Sequence, residues 1–272
     1  SMLSKQTTAS SPKAECSPKN SSQTSLKPSV RNAASFLLFP IPQNLTNIII
    51  FNKANAPSVR RVRFKSEVIM NNKNICMIAH RGYSSAYPDN TEIAFIKAAE
   101  NHSGGAETDV RVTKDGILVV NHNDEVVFAD GSELLVAEAT YAELSEKPMR
   151  NTKSEDTVYI CTFRRYLEIM KENNMICFVE LKGEFSDDKV REVFDTVSEI
   201  YDLSKCIMQS FEFANLIKAR EMFPNLPLML TYGSDEIDYR RCFDYGFSLD
   251  AYYKAVTEEM IKELEKDNKK LK

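Results

Sequence analysis

The sequence predicts an α/β protein built as a (β/α) barrel, and three observations lead to this fold class. After residue 74, short apolar segments alternate with longer segments of helical period. The apolar segments are nearly continuous, which is typical of parallel strands buried on both faces. Seven such strands favour a barrel over an open doubly wound sheet, since the turn after the first strand, HRGYSSAYPDNT, lacks the GxGxxG pattern of nucleotide-binding sheets.

The predicted strands are, in chain order, ICMIAH, AETDVRV, ILVVNH, ICFVELK, CIMQSF, LPLMLTY and LDAYY. The predicted helices occupy residues 90–101, 159–172, 189–201, 214–223, 238–245 and 257–266. The second and third strands are too close together for a helical crossover, which needs about a dozen residues. TKDG at residues 113–116 indicates a tight turn instead, with a glycine available for a positive φ. If the chain doubles back there, His122 lies near Asp109.

The N-terminal region differs from the remainder in composition. Residues 1–70 are rich in Lys and Arg and contain only two acidic residues, Glu15 and Glu67, whereas the whole chain of 272 residues has a net charge of -4. We therefore expect a basic, Ser/Thr-rich leader at 1–70 and a barrel domain at 71–272. The leader lacks a periodic apolar face up to about residue 35, which predicts disorder. One short strand is expected at residues 47–51.

Three interpretations of the leader stay open. A Ser-rich, basic, acid-poor segment is typical of an organellar transit peptide. The tetrapeptide RVRF, which begins at Arg61 and ends at Phe64, resembles a phosphatase-docking motif and would recruit a protein partner. The third interpretation is an unstructured tail.

The sequence also limits where the protein is expected. No apolar run reaches the roughly 20 residues of a transmembrane helix, and the start has no apolar stretch of a secretory signal. We expect a cytoplasmic protein, or an organellar one if the leader is a transit peptide. The six cysteines show no CxxC spacing, which predicts neither a disulfide framework nor a zinc site. No basic, aromatic-interleaved surface indicates nucleic-acid binding.

Ionisable residues follow or end the first four predicted strands, whose carboxyl ends meet at one mouth of a barrel. They are His80, Arg81, Glu107, Asp109, His122, Glu180 and Lys182. Glu107 and Asp109 are two residues apart, as are Glu180 and Lys182, so each pair projects to one face of its strand. A buried carboxylate needs a metal or a cationic partner because an unpaired buried charge is costly.

These residue types indicate phosphoryl transfer. Three carboxylates without a cysteine suit a hard divalent cation such as Ca²⁺ or Mg²⁺. Arg81 and Lys182 suit an anion, and the planar fork of arginine matches phosphate oxygens. Two histidines can act as general base and general acid near neutral pH.

Structural interpretations of the same residues were weighed beside the functional ones. His80 taken alone would be a structural histidine, and His102 a surface residue. Glu180 and Lys182 would neutralise one another. Asn90 and Thr91 are expected to begin a helix, with Asn or Thr as its cap.

The motifs AHRGYSSAYPDNT, AETDVRVTKDGILVVNHND, FVELK and MQSFE resemble those of the glycerophosphodiester phosphodiesterase family, in order and spacing, over roughly residues 75–272. The resemblance implies a TIM barrel that cleaves small-molecule glycerophosphodiesters to glycerol 3-phosphate and an alcohol. It implies one divalent cation on Glu107, Asp109 and Glu180. His80 and His122 correspond to the acid/base pair. Arg81 and Lys182 correspond to the phosphate contacts.

Four departures from the family pattern stand out. Asp89 and Asn123 replace a glutamate and an aspartate, and ICTFRRYLEI replaces a Pro-Thr-Leu start of a helix. The fourth is that the chain stops at Lys272, where the family continues into an eighth strand. Residues 47–51 are the best candidate to fill this gap. A second chain could fill it instead, or the domain is a weakened form.

Two alternative functions follow from these departures. One is a lysophospholipase D-type lipid phosphodiesterase. The other is a non-catalytic scaffold whose leader recruits a partner.

Overall fold

The structure is a computed structural model that describes residues 36–40, 49–50, 75–232, 239–251, 256–260, 262–263 and 266. The RVRF tetrapeptide and the segment predicted to be disordered, up to about residue 35, lie outside the described residues. The strands are β1 (Phe36–Pro40), β2 (Ile49–Ile50), β3 (Ile75–Ala79), β4 (Gly105–Val112), β5 (Leu118–Val120), β6 (Glu125–Val127), β7 (Glu133–Leu135), β8 (Cys161–Thr162), β9 (Ile176–Leu181), β10 (Cys206–Ser210), β11 (Leu228–Tyr232) and β12 (Ser248–Ala251).

Helices alternate with the later strands. They are α1 (Glu92–Glu100), α2 (Tyr141–Ser145), α3 (Phe163–Glu172), α4 (Asp187–Ile200), α5 (Phe213–Met222) and α6 (Arg241–Tyr245), with short 3₁₀ turns at Val136–Glu138 and Leu203–Lys205. Residues 258–260 are also helical. None of the helices within the described ranges is long and apolar enough to cross a bilayer.

The main sheet runs in the order β1-β3-β4-β9-β10-β11-β12-β2. From β3 to β2 each neighbouring pair is parallel, whereas β1 pairs with β3 in the antiparallel direction. Cα atoms of β1 and β2 approach within 8 Å, so the two ends of the sheet come together. This is the order of a parallel barrel with α1, α3, α4 and α5 between successive strands, and the predicted TIM barrel fold is confirmed.

One predicted barrel strand lies elsewhere. The third apolar segment, ILVVNH, forms β5, which is antiparallel to β4 and pairs on its other side with β8. The predicted turn is correct, since Val110 lies opposite Val120 across it. The seven-strand count was wrong at this element, because a hairpin this tight returns the chain beside β4 instead of carrying it across a helix.

The N-terminal strands stand at the two edges of the parallel set. Ile49–Ile50, within the predicted strand at 47–51, pairs with β12, which is the position the gap-filling hypothesis gives it. Residues 47, 48 and 51 are outside the described part. The sequence analysis did not single out β1 as a strand.

The interior of the barrel has an apolar floor, a cluster formed by Ile78, Phe178, Ile207 and Met229. β4 contributes Gly105 at this level, where a Cβ atom would lie 2.5 Å from the Ile176 carbonyl oxygen. Alternate residues of a strand face the same side. The positions two residues nearer the carboxyl ends therefore also face inward, and they are His80, Glu180, Gln209 and Thr231. A polar layer lies above the floor.

The larger core lies between the strands and the surrounding helices. Tyr166 of α3 is fully buried there, and its hydroxyl donates to the Ala106 carbonyl at 2.7 Å and accepts from the Phe178 N–H at 3.1 Å. These bonds fix α3 against β4 and β9, the two strands that carry the acidic residues.

Candidate active site

The turn after β3 holds His80 and Arg81 in a restrained conformation. Arg81 and Asn90 adopt positive φ values of 58° and 56°, and such residues cost of order 1–3 kcal/mol unless their surroundings impose them. The Arg81 N–H donates to Glu107 Oε2 at 2.9 Å, and the Asn90 N–H donates to the Arg81 carbonyl at 3.1 Å. Gly82 is required here, because a Cβ atom would lie 2.7 Å from the Ala94 backbone. The acidic cluster therefore shapes the turn that covers it.

Three buried carboxylates converge at the carboxyl ends of β4 and β9. Glu107, Asp109 and Glu180 each offer an oxygen within 4.8 Å of the others, and Asp109 is the in-register neighbour of Glu180. Burial and the neighbouring charges of Asp109 and Glu180 raise the pKa of Glu107 well above its usual value. Burial and Asp109 likewise raise the pKa of Glu180.

Two cations contact this cluster. Lys182 Nζ lies 2.5 Å from Glu180 Oε1 and 3.2 Å from Asp109 Oδ1, and Arg81 Nε lies 3.2 Å from Asp109 Oδ2. Burial disfavours the Asp109 carboxylate, but Lys182 and Arg81 outweigh it and lower the pKa of Asp109. Glu107 Oε1 is buried without a hydrogen-bond partner among the described residues. The predicted partners, carboxylates and cations, are thus brought together with one acidic oxygen left over.

The two histidines lie in different environments. His80 Nε2 lies 3.9 Å from Glu107 Oε2, and burial together with Arg81 lowers the pKa of His80 to about 4. His122 is half-buried, and burial lowers its pKa too, while Asp109 and Asn123 act in the opposite direction. Nδ1 of His122 lies 2.9 Å from Asn123 Oδ1.

Asn123 fixes the tautomer of His122. Its Nδ2 donates to Glu125 Oε1 at 3.0 Å, so its oxygen faces the imidazole. An amide oxygen only accepts, and Nδ1 therefore carries the hydrogen. The Arg111 guanidinium also holds this segment, donating to the His122 carbonyl at 2.7 Å. Asn123 thus orients the ring although it lacks the charge of the family's aspartate.

The departure at Asp89 also makes contacts near the site. Asp89 Oδ2 lies 3.5 Å from Arg81 NH1, and Lys153 pairs with the other oxygen. Thr91 caps α1 by accepting from the Ala94 N–H. Asn90 has a different role, donating to Asp109 Oδ2 at 2.7 Å. The shorter carboxylate still reaches Arg81.

Five of the seven predicted residues line one cavity of about 160 Å³: His80, Arg81, His122, Glu180 and Lys182. Glu107 and Asp109 contact its lining residues Arg81 and Lys182. His102 lies exposed after α1. The same cavity is lined by four residues that sequence reasoning missed, Gln209, Phe211, Thr231 and Asp250. Their signal was a polar residue inside an otherwise apolar strand, as in LMLTY and SLDA.

Fold and site together define a class: a (β/α) barrel whose mouth carries carboxylates, imidazoles and cations arranged for phosphate-ester chemistry. A model of the Glycerophosphoryl diester phosphodiesterase family matches residues 80–267. The chain belongs to this family.

Individual relatives agree with that placement. A glycerophosphodiester phosphodiesterase of Bacillus altitudinis is 30% identical over 56% of this chain, which spans 64% of that protein. One from Caldanaerobacter subterraneus subsp. tengcongensis is 28% identical over 72% of this chain and 83% of its own length. The crystal structure of a glycerophosphodiester phosphodiesterase from Thermotoga maritima is 27% identical, with a TM-score of 0.56 over 71% of this chain and 80% of that one.

Proposed function

We propose that the chain hydrolyses glycerophosphodiesters to glycerol 3-phosphate and an alcohol, using a divalent cation and the His80/His122 pair. The observation that carries the proposal is the convergence of acidic, basic and imidazole groups on one cavity at the carboxyl ends of the strands. The names of the relatives point to the same reaction. The scaffold alternative is disfavoured, because its presumed catalytic groups would have no reason to keep mutual contacts.

Glu107, Asp109 and Glu180 would hold the cation. The donor set is oxygen only, and a buried carboxylate oxygen of Glu107 without a partner fits a hard cation such as Ca²⁺ or Mg²⁺. A bound cation supplies positive charge that stabilises negative charge on the phosphoryl oxygens. It would also relieve the repulsion that raises the pKa of Glu107.

The histidines would transfer protons in two steps. In the first, His80 removes the proton of the glycerol hydroxyl next to the phosphate, whose oxygen then bonds to phosphorus. His122 gives its proton to the departing alcohol oxygen as that P–O bond breaks, and a cyclic phosphodiester results. In the second, His122 takes a proton from water as the water oxygen bonds to phosphorus, and His80 returns its proton to the glycerol oxygen that leaves. The low pKa of His80, caused by burial and Arg81, suits it to be the base.

Arg81 and Lys182 would bind the phosphate. Both line the cavity beside the histidines, and both are cations already held by Asp109. Because that contact sets their positions before substrate arrives, little side-chain freedom is lost on binding. Phe211 packs over Lys182, with Nζ 5.5 Å from the ring centroid, and further restricts it.

The test is a screen of the full chain against glycerophosphocholine and glycerophosphoethanolamine, with Ca²⁺, Mg²⁺ or excess EDTA. We expect glycerol 3-phosphate to be released with at least one cation, to stop in EDTA and to resume when the cation is restored. Undiminished release in excess EDTA would overturn the metal-dependent mechanism. No release under any condition would overturn the function.

One observation favours lysophospholipids as a second candidate substrate class. A groove of about 390 Å³ adjoins the site at Lys182 and is lined partly by Leu135, Val136 and Phe185. Leu135 is exposed, so an acyl chain could reach this groove. Release of choline from lysophosphatidylcholine, reduced by Leu135→Asp and unchanged for glycerophosphocholine in the same variant, would support this candidate.

A further inference from the structure

A neutral polar wall of the cavity, formed by Gln209, Thr231 and Asp250, has no part in the mechanism above. Each residue ends one strand, β10, β11 or β12, and each is more than nine-tenths buried. Thr231 and Asp250 are in-register neighbours on adjacent strands. All three line the cavity that holds the histidines and cations. Three buried polar side chains on adjacent strands of one cavity require an explanation.

Hydrogen bonding inside the protein accounts for only part of this wall. Gln209 Nε2 donates to Glu180 Oε2 at 3.1 Å, which points the amide oxygen away from that carboxylate. Gln209 Oε1 is buried without a hydrogen-bond partner in the described part of the chain. Thr231 Oγ1 likewise forms no hydrogen bond of good geometry there, although it interacts electrostatically with Asp250. An unsatisfied buried polar atom costs about 1–3 kcal/mol, so this wall stays costly until a ligand satisfies it.

The chemistry of the wall selects the kind of ligand. An amide oxygen accepts, a threonine hydroxyl donates and accepts, and a carboxyl accepts or donates according to its protonation state. Alcohol groups match this set because each can donate and accept. A phosphate does not match, since Asp250 and Glu180 would repel it, and Arg81 and Lys182 attract it elsewhere in the same cavity. The cavity thus separates an anion-binding part from a hydroxyl-binding part.

We propose that Gln209, Thr231 and Asp250 form the subsite that binds the terminal, non-reacting hydroxyl of the substrate's glycerol moiety. The inference rests on the proposed function and names the residues that select a glycerol ester over other phosphodiesters. Polar groups that pair with a substrate hydroxyl discriminate strongly against an analogue that lacks it, because they are left unpaired when the analogue binds. Cavity size agrees, since a volume of about 160 Å³ admits a small polyol fragment.

The experiment compares two substrates and two products that differ by one hydroxyl. Glycerophosphocholine is paired with 2-hydroxypropyl phosphocholine, which keeps the reacting hydroxyl and lacks the terminal one. Glycerol 3-phosphate is paired with 2-hydroxypropyl phosphate for binding by calorimetry in the metal-loaded protein. We expect the wild type to prefer the glycerol compound at least tenfold in kcat/KM and in affinity.

Thr231→Val removes the hydroxyl at nearly constant volume, and Gln209→Met removes the amide in a second variant. We expect both variants to lose the preference by weakening the glycerol compound while leaving the deoxy compound nearly unchanged. Thermal unfolding verifies that each variant is folded, and a structural role would lower both compounds equally. Equal losses for both compounds, or a wild type without a preference, would overturn the subsite.

The product arm separates the subsite from the proposed function. A wild type that binds glycerol 3-phosphate preferentially but cleaves neither diester would uphold the subsite and overturn the function. A wild type that cleaves both diesters equally, with equal product affinities, would uphold the function and overturn the subsite.

Discussion

The two halves of the barrel mouth differ in the kind of polarity they bury. The half formed by β3, β4 and β9 buries full charges, Glu107, Asp109 and Glu180 against Arg81 and Lys182, and nearly every group there has a partner of opposite charge. The half formed by β10, β11 and β12 buries an amide, a hydroxyl and a carboxyl, and no described cation pairs with them. One half is electrostatically compensated, and the other is polar without compensation.

The difference follows from the depth of the layer above the apolar floor. Both halves place their polar side chains two residues beyond floor residues, where the barrel encloses them and charge is expensive. Charged groups persist there only in sets that neutralise one another and hold a further ion or anion. Neutral groups persist with a smaller penalty, which suits recognition of an uncharged part of the substrate. The comparison assigns chemistry to the first half and selection to the second.

The largest expected effect concerns the charged half. His80→Asn should lower kcat by about 10²–10⁴-fold, because positioned proton transfer contributes a factor of that size. The measurement is the initial rate of glycerol 3-phosphate release at saturating cation. His102→Asn is the matched control: the residue is exposed, and asparagine tolerates its positive φ of 60°. A loss below about tenfold for His80→Asn would remove this residue from the chemistry.

Cation binding should separate the two halves next. At a concentration 100 times its Kd, a cation should raise the free energy of unfolding by about 2.7 kcal/mol. Glu107→Gln should abolish most of this gain yet leave the cation-free protein as stable or more stable, because it removes a buried carboxylate whose pKa burial raises. Denaturant unfolding with and without Ca²⁺ or Mg²⁺ measures both effects.

Glu133→Gln is the control for this experiment, since Glu133 is exposed on β7. It should retain the full gain from the cation. If Glu107→Gln retained it as well, the cation would have to bind elsewhere, and the charged half would lose its assigned role.

How far the sequence predicted the molecule depends on the range of the interaction. Apolar runs and helical period are local, so they predicted the barrel and the β4/β5 turn. Which sheet position a run occupies is not local, and for that reason ILVVNH was given a place in the barrel that it does not have. Phe36–Pro40 was not predicted as a strand, because its pairing partner, β3, lies far along the chain.

The site shows the same limit. The charged residues were found because ionisable groups at the ends of apolar strands are conspicuous. Gln209, Thr231 and Asp250 were missed, since a single polar residue in a strand becomes meaningful only when its neighbours on other strands are known. Asn90 was assigned to the helix start by its type, while its bond to Asp109 spans 19 residues. Neighbouring strands, and not neighbouring residues, build the second half of the mouth.

A pH titration of stability examines the uncompensated half. Burial and the charge of Glu180 raise the pKa of Asp250 to about 8, while an unfolded aspartate titrates near 3.9. Below about pH 4 both states hold the proton, and the stability from this group is fully present. As pH rises towards about 8 the unfolded state alone releases it, so stability falls by up to about 1.4 kcal/mol per pH unit.

Asp250→Asn mimics the protonated acid and should remove this slope. Unfolding free energies of wild type and variant in EDTA between pH 5 and pH 8 provide the measurement. Parallel curves for the two proteins would show that Asp250 is ionised in the folded state, and the contrast between the halves would weaken.

The smallest expected effect tests how charge is distributed at the rim of the first half. Asn123→Asp places a carboxylate where an amide oxygen now lies 2.9 Å from His122 Nδ1. Opposite charge favours the imidazolium, so the pKa of His122 should rise, by about one unit at this half-exposed position. If His122 is the general acid in the first step, activity falls as pH rises through that pKa, and the descending limb of the kcat/KM profile should move to higher pH. Movement of the ascending limb instead would exchange the roles of the two histidines. An unmoved profile would mean that the imidazole of His122 takes no part in the proton transfer.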